Sequence, residues 1–307
     1  MTISRKYIKK IWRVDMAVLI NGRDLTIEEV IRVCREDEEV KLAEEAVAAV
    51  NKARAYIEKK LKEKAVIYGL TTGFGKFSNV VISPEETEKL QRNLIISHTC
   101  TMGNHYPRHY VRAAMLLRCN ALARGNSGIR LETLQTLIDM INKGVHPVIP
   151  EKGSLGASGD LAPLSHIALG LIGEGEVEYK GQIMPAAEAM KKAGIRPVTL
   201  AAKEGLALNN GTQMMTAIGL NVVWDAMKLQ KVADIACALT DEALHAIKKA
   251  YDPKIQELRG HQGQKDSAEN LRTLLEGSAN ALPLQPSKVQ DAYALRCVPQ
   301  IHGASRD

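Results

Sequence analysis

The segment 213–250 keeps a helical pattern of apolar residues with almost no interruption, and no other feature constrains the fold as strongly. Strands and helices do not alternate along the chain, which argues against a doubly wound sheet. No internal repeat at solenoid spacing is present. The expected fold is therefore mainly α: a long-helix bundle core with a small loop-rich N-terminal part and a short β-hairpin.

Further helices are marked upstream. Thr26 and Glu29 have capping-box spacing ahead of Val30, Ile31 and Val33. Val40, Ala43, Val47, Val50, Ile57 and Leu61 recur mostly at steps of three and four, which predicts one apolar face of a long helix. Its acidic start (Glu36, Asp37, Glu38, Glu39) and basic end (Lys59, Lys60, Lys62, Lys64) suit the helix dipole and read as a solvated face. Gly69, Thr71, Thr72, Gly73 and Gly75 break the period into a loop across 68–78. Ser83-Pro84-Glu85-Glu86 restarts a helix, and others are expected over 110–123 and 131–142, the latter stopped by Gly144 and Pro147. The alternation across 176–183 around Lys180-Gly181 predicts a hairpin.

Composition narrows the class. The chain has 307 residues, enough for one large domain or two smaller ones, and is 45% hydrophobic and 25% charged. Only 4% of residues are aromatic, and no basic stripe interleaved with aromatics accompanies the net charge of +6, so nucleic acid is not an expected partner. No apolar run approaches the roughly 18 residues a membrane span needs. Cys34, Cys100, Cys119, Cys237 and Cys297 form no CxxC pair, which favours free thiols in a reducing compartment, and the expected location is cytoplasmic. The basic stretch 1–15 reads as an N-terminal extension without the long apolar core of a secretory signal. Residues 16–200 and 201–307 are expected as separate domains.

The stretch richest in chemistry is Gly153-Ser-Leu-Gly-Ala-Ser-Gly-Asp-Leu-Ala-Pro-Leu-Ser-His166. A phosphate cradle would need Gly-Lys-Ser/Thr at its end, whereas Lys152 precedes the glycines. A hydrolase elbow needs glycine two residues after the serine, where Asp160 stands. A Ser158–Asp160–His166 triad would have to assemble from one loop, which triads do not do. A plain turn before a helix accounts for glycine, serine and aspartate. A further chemistry fits Ala157-Ser158-Gly159. The amide nitrogen of Gly159 can attack the carbonyl of Ala157 in a five-membered ring, glycine having no Cβ to obstruct it. Loss of water from the ring and of the Ser158 hydroxyl leaves an exocyclic methylidene, an electrophile that no ordinary side chain supplies.

This run resembles the signature of the histidine and phenylalanine ammonia-lyase family, whose prosthetic group is methylidene-imidazolone (MIO). Four more stretches match in the family's order. Tyr68-Gly-Leu-Thr-Thr-Gly-Phe-Gly75 resembles its tyrosine loop, and Leu90-Gln-Arg-Asn-Leu-Ile-Ile-Ser-His98 its selectivity helix. Lys203-Glu-Gly-Leu-Ala-Leu-Asn-Asn-Gly-Thr-Gln213 resembles its asparagine segment, and Gln290-Asp-Ala-Tyr-Ala-Leu-Arg-Cys297 its carboxylate-binding segment. The similarity runs from about Met16 to the last residue.

The resemblance implies an ammonia-lyase/fumarase-like fold, a homotetramer, no metal or nucleotide, and elimination of ammonia from a small-molecule amino-acid substrate. It makes Tyr68 the base, which needs help because a phenol titrates near ~10. Arg296 would hold the substrate carboxylate with its planar fork. Asn210 would hydrogen-bond near the MIO or the substrate. Tyr293 and Gln290 share Arg296's segment, and helical spacing would set the three on one face. Taken singly, these residues have plainer readings: a packing tyrosine, a surface ion pair, a turn asparagine. Phenylalanine-specific members resemble Phe-Leu at positions 97–98 and tyrosine-specific members His-Leu. Ser97-His98 is the histidine pattern, pointing to histidine breakdown by way of urocanate. A tyrosine or phenylalanine lyase, an aminomutase, and a non-catalytic MIO scaffold are the alternatives. His105 and His109, separated by Pro107, read as surface residues and not a metal pair. Asn209 departs from the family's usual aliphatic residue. The resemblance also implies further helical chain beyond Asp307, with an acidic residue for the substrate, so that 201–307 reads as the start of a central domain in a truncated chain.

Overall fold

The computed structural model describes residues 17–63, 65–67, 70, 72 and 84–307. The described chain divides into two compact units, one ending at Asn221 and one spanning Val222–Asp307.

In the first unit, β1 (Val18–Ile20) pairs in parallel with β2 (Val40–Leu42), Val18 opposite Val40. Between them lies α1 (Ile27–Glu36). Thr26 Oγ1 accepts the Glu29 N–H at 3.3 Å, and the Glu29 carboxylate accepts the Thr26 N–H at 2.9 Å, the reciprocal cap expected from the sequence. The long helix expected from Val40 onward begins later, as α2 (Glu44–Lys62). Glu36 closes α1, Asp37 turns the chain with φ of 60°, and Val40 is a strand residue whose side chain is fully buried. The acidic run is thus a connection between elements, while Lys59, Lys60 and Lys62 of the basic end do lie in the last turn of α2; Lys64 lies outside the described residues.

Next come α3 (Pro84–His98), β3 (Met102–His105), α4 (Arg108–Ala123) and α5 (Leu131–Lys143). α4 is buried nearly all round, from Val111 through Ala123, so it forms the middle of this unit. α5 buries one stripe, Leu134, Leu137, Ile138 and Ile141, and ends at Gly144 in the left-handed region. α1 and α5 pack against α4.

β4 (Val145–Pro147) and β5 (Pro150–Lys152) follow, then α6 (Leu161–Leu171). The expected hairpin is β6 (Glu176–Tyr179) and β7 (Gln182–Pro185). Lys180 and Gly181 both have positive φ, as a primed turn requires. β4 adds a third antiparallel strand to it. Three residues, Val-His-Pro, are too few to display alternation, so the sequence did not reveal this strand. α7 (Ala186–Ala193) and the short α8 (Glu204–Asn209) lead into α9 (Gln213–Ala243). α3 packs on both α6 and α8, and α6 packs on α8.

The helical run read over 213–250 is α9 as far as Ala243; His245 then turns the chain with φ of 51°, and a 3-10 turn occupies Lys248–Tyr251. The second unit is completed by α10 (Pro253–Arg259), α11 (Gln262–Leu274), α12 (Tyr293–Arg296) and α13 (Val298–Arg306), with α11 packed along α13. Its apolar core comprises Cys237, Ala238, Tyr251, Ala268, Leu271, Leu275, Ala281 and Val298. Asp234 on α9, almost wholly buried, accepts hydrogen bonds from Ser267 (2.8 Å), Asn270 (2.9 Å) and Arg306 (2.5 Å) and meets His302 Nδ1 at 2.8 Å. This hub ties α9 to α11 and α13. The mainly α class expected from the sequence is the one observed. No helix among the described residues is long and apolar enough to cross a membrane.

Candidate active site

The glycine-rich loop 153–160 leaves β5, whose antiparallel partner β3 follows the end of α3. Gly153 lies against Cys100 and Thr101, where a Cβ would stand 2.8 Å from Thr101 Cγ2. The loop then folds back on itself: the backbones of Gly156 and Ala157 bridge to Gly159. Ala157 and Ser158 are exposed and Gly159 is half-buried.

The far side of this turn is gripped by the segment between α8 and α9. Asn210 Nδ2 donates to Ser158 Oγ at 3.3 Å. The Asp160 N–H donates to the Gly211 carbonyl at 2.6 Å, and the Asp160 carboxylate accepts the Met215 N–H at 2.8 Å. Asp160 stands at the start of α6, yet its side chain satisfies an amide in the first turn of α9. Gly159, with φ of 93°, sits directly against Gly211. A Cβ on Gly159 would lie 2.8 Å from the Gly211 carbonyl carbon and closer still to its oxygen. Only glycine fits this position, on both conformational and steric grounds. These residues suit the group that Ala157-Ser158-Gly159 would form: the attacking amide carries no side chain, and the turn is already folded back so that Ala157 bridges to Gly159.

The imagined triad is not assembled. Asp160 is engaged with α9, and His166 Nε2 meets Thr101 Oγ1 at 2.7 Å. Burial lowers the His166 pKa, which favours its neutral form.

His98 ends α3. Its Nδ1 lies 2.8 Å from the Leu94 carbonyl and 3.1 Å from Ser97 Oγ. A carbonyl only accepts, so Nδ1 carries the proton and Nε2 is left as an acceptor. Asn209, the departure from the family pattern, is fully buried and donates to Ser165 Oγ at 3.2 Å, while its Oδ1 has no partner. A polar link between α8 and α6 thus stands in place of an aliphatic contact. Tyr68 lies outside the described residues, as does the stretch 1–15.

Three other sequence candidates lie in the second unit. Tyr293 and Arg296 share the single turn of α12, and the guanidinium carbon sits 4.3 Å from the Tyr293 ring centroid. Arg296 Nε is buried without a hydrogen-bond partner, while the Tyr293 ring is 71% exposed. Gln290 does not share their helical face. α12 is capped at Ala292, and the neighbouring Asp291 turns inward to accept the Ile247 N–H at 2.6 Å and pair with Lys288. Gln290 is exposed in the irregular chain before the helix. Among the described residues no group of three or more His, Cys, Asp or Glu side chains is arranged to hold a metal ion.

The sequence of this arrangement matches the model of a protein family, aromatic amino acid lyase, over residues 25–307. The chain belongs to the aromatic amino acid lyase family. Among curated relatives, the histidine ammonia-lyase of Alkaliphilus oremlandii (strain OhILAs) is 60% identical over 290 residues, covering 94% of this chain and 57% of the relative. That of Alkaliphilus metalliredigens (strain QYMF) is 57% identical over the same shares. The chain thus spans 57% of the length of these relatives. Among solved structures, histidine ammonia-lyase from Trypanosoma cruzi superposes with a TM-score of 0.85 at 40% identity, covering 94% of this chain and 53% of that one. Tyrosine aminomutase from Streptomyces globisporus gives a TM-score of 0.89 at 37% identity, with 95% and 59% covered.

One neighbour of this loop went unread in the sequence. Arg118, in the apolar middle of α4, lies where a Cβ on Gly211 would overlap it. Its only sequence signal is a charge set among Met115, Leu116, Leu117, Cys119 and Leu122.

Proposed function

We propose that this chain is the core of a histidine ammonia-lyase, converting L-histidine to urocanate and ammonia, with Ala157-Ser158-Gly159 cyclised to MIO. The observation that carries the reading is the contact of Gly159 with Gly211, which admits only glycine at the attacking amide. An MIO at this place supplies a carbon electrophile that activates the substrate for loss of ammonia.

The remaining roles fall to this chain's own side chains. Asn210 holds the Ser158 end of the turn in place. His98 Nε2, left as an acceptor, takes a hydrogen bond from the substrate imidazole N–H. Arg296, stacked on Tyr293 and with one unpartnered N–H, binds the substrate carboxylate, and Tyr293 and Gln290 complete that subsite. Tyr68 removes the β-proton. The protein works in the cytoplasm, as its five unbridged cysteines suggest, and assembles as a homotetramer. Val222, Val223, Met227, Leu229, Val232 and Leu239 on α9 are exposed, apolar surface suited to contact between copies.

A substrate panel tests the reading. The chain is mixed separately with L-histidine, L-tyrosine and L-phenylalanine, and the unsaturated acid is followed by absorbance, with Ser158→Ala as control. Urocanate from histidine alone, absent in the control, is the expected result. Turnover of tyrosine or phenylalanine in preference to histidine contradicts the substrate assignment. Cyclisation without turnover of any of the three assigns the chain to the non-catalytic scaffold.

A further inference from the structure

Arg118 is 5% exposed, and none of its described partners is a carboxylate. It donates from Nη1 to Gln213 Oε1 at 2.9 Å and from Nη2 to the Ala207 carbonyl, leaving Nε without a partner. Burial holds its pKa down at about 10, so it stays charged at neutral pH. A charge kept in the interior with neutral partners alone is costly, and a well-packed apolar side chain would serve the fold at least as well.

Its place explains what it does. Gly211 meets Gly159 through its backbone, and a Cβ built on Gly211 would overlap Arg118 Nη1 and Gln213 Oε1. Gly211 thus has the tripeptide against its backbone and a planar guanidinium against its Cα, and that guanidinium is itself braced on α8 through Ala207. A shift of Gly211 toward its Cα side would have to displace Arg118.

We propose that Arg118, braced by Gln213, is a positioning residue for the cyclisation of Ala157-Ser158-Gly159: it stops Gly211 from yielding and so keeps Gly159 pressed into the turn. This rests on the reading that the tripeptide cyclises. In that reaction the Gly159 nitrogen forms a bond to the Ala157 carbonyl carbon. The carbonyl oxygen leaves as water with the protons of the Gly159 and Ser158 amides. The Ser158 hydroxyl leaves as a second water with the Ser158 Cα proton. No oxidant or reductant enters. Arg118 touches none of the reacting atoms; it narrows the range of backbone positions from which the attack occurs.

The test follows chain made by cell-free translation, sampled over time for intact mass and for protease resistance. The first readout reports the loss of two waters and the second reports folding. In Arg118→Met the chain becomes resistant on the wild-type timescale, but the two-water loss slows by about tenfold or more, a factor equivalent to ~1.4 kcal/mol of barrier. Arg118→Lys, which keeps the charge and loses the fork, falls between. If Arg118→Met does not fold, Gln213→Leu decides, because it frees the guanidinium and leaves α4 intact: cyclisation slowed relative to folding is expected. A folded Arg118→Met, or a folded Gln213→Leu in that case, that loses both waters at the wild-type rate overturns the proposal alone. Wild-type chain that folds and keeps both waters removes the cyclisation reading and this proposal with it.

Discussion

Among the described residues, the buried Arg, His, Asp and Glu side chains of the unit that ends at Asn221 are Arg112, Arg118, His146, Asp160 and Glu204; in Val222–Asp307 they are Asp234, Asp241 and Asp291, with no buried lysine, arginine or histidine. The two kinds of charge do different work. Arg112 donates from Nε to the Val33 carbonyl at 2.5 Å and from Nη1 to the Ile141 carbonyl, and Arg118 donates to that of Ala207. Buried cations of this sort pin main chain where helices end and loops begin. Buried carboxylates gather donors, as Glu204 does with Arg130 in the first unit and as Asp234 does with α11 and α13 in the second, where it joins helices through their side chains. Backbone pinned by a buried cation suits the cyclisation proposed for residues 157–159, and the segment held by Arg118 carries the Gly211 that meets Gly159.

The largest expected effect comes from removing a pin. Arg112→Met leaves the Val33 and Ile141 carbonyls without that donor and should cost about 4 kcal/mol. Hydrogen exchange should place the loss in the first unit. Exchange raised equally in 222–307 would break the distinction between the units.

Asp234→Asn comes next, at about 3 kcal/mol. The amide removes the charge facing Arg306 and His302 and turns one acceptor into a donor against Ser267 or Asn270. Its loss of protection should concentrate in 222–307. Stability within ~0.5 kcal/mol of wild type would show that the hub matters little.

The mildest effect is with pH. Burial, then the Arg112 and Arg108 charges, depress the His146 pKa to about 3, so the folded imidazole is neutral. The unfolded chain binds that proton near pH ~6.5, so the stabilisation is complete above that value and declines toward pH 3, by at most ~1.4 kcal/mol per unit. Burial alone would raise the Asp234 carboxyl, but hydrogen bonds from Asn270, His302 and Ser267 and the Arg306 charge outweigh it, and its pKa is lowered. Its contribution is present above ~3.9 and lost below. Exchange compared at pH ~6.5 and ~4.5 should therefore show His146→Phe flattening the response of the first unit and leaving the second unchanged. An unaltered slope in the variant would contradict the His146 assignment.

Local signals were readable and contacts between distant segments were not. The Thr26–Glu29 cap and the Lys180-Gly181 turn are each settled within a few residues, and both were legible. Val40 was taken into a helix because single apolar residues at steps of three and four fit a three-residue strand as well; its pairing with Val18 is tertiary. Gln290 fails the helical spacing because Asp291 is drawn inward to Ile247, a contact 44 residues away in sequence. The motif around Ser158 announced its chemistry, but Asp160 bonding to Gly211 and Met215, and Arg118 behind them, joins three separate segments that carry no common pattern.

Whether this chain builds an electrophile from its own backbone is decided by the intact mass of the purified protein. A mass lower than the sequence requires by two waters is expected, with the deficit located in the peptide containing residues 157–159 and absent from Ser158→Ala. A folded wild-type chain at its full calculated mass would contradict it.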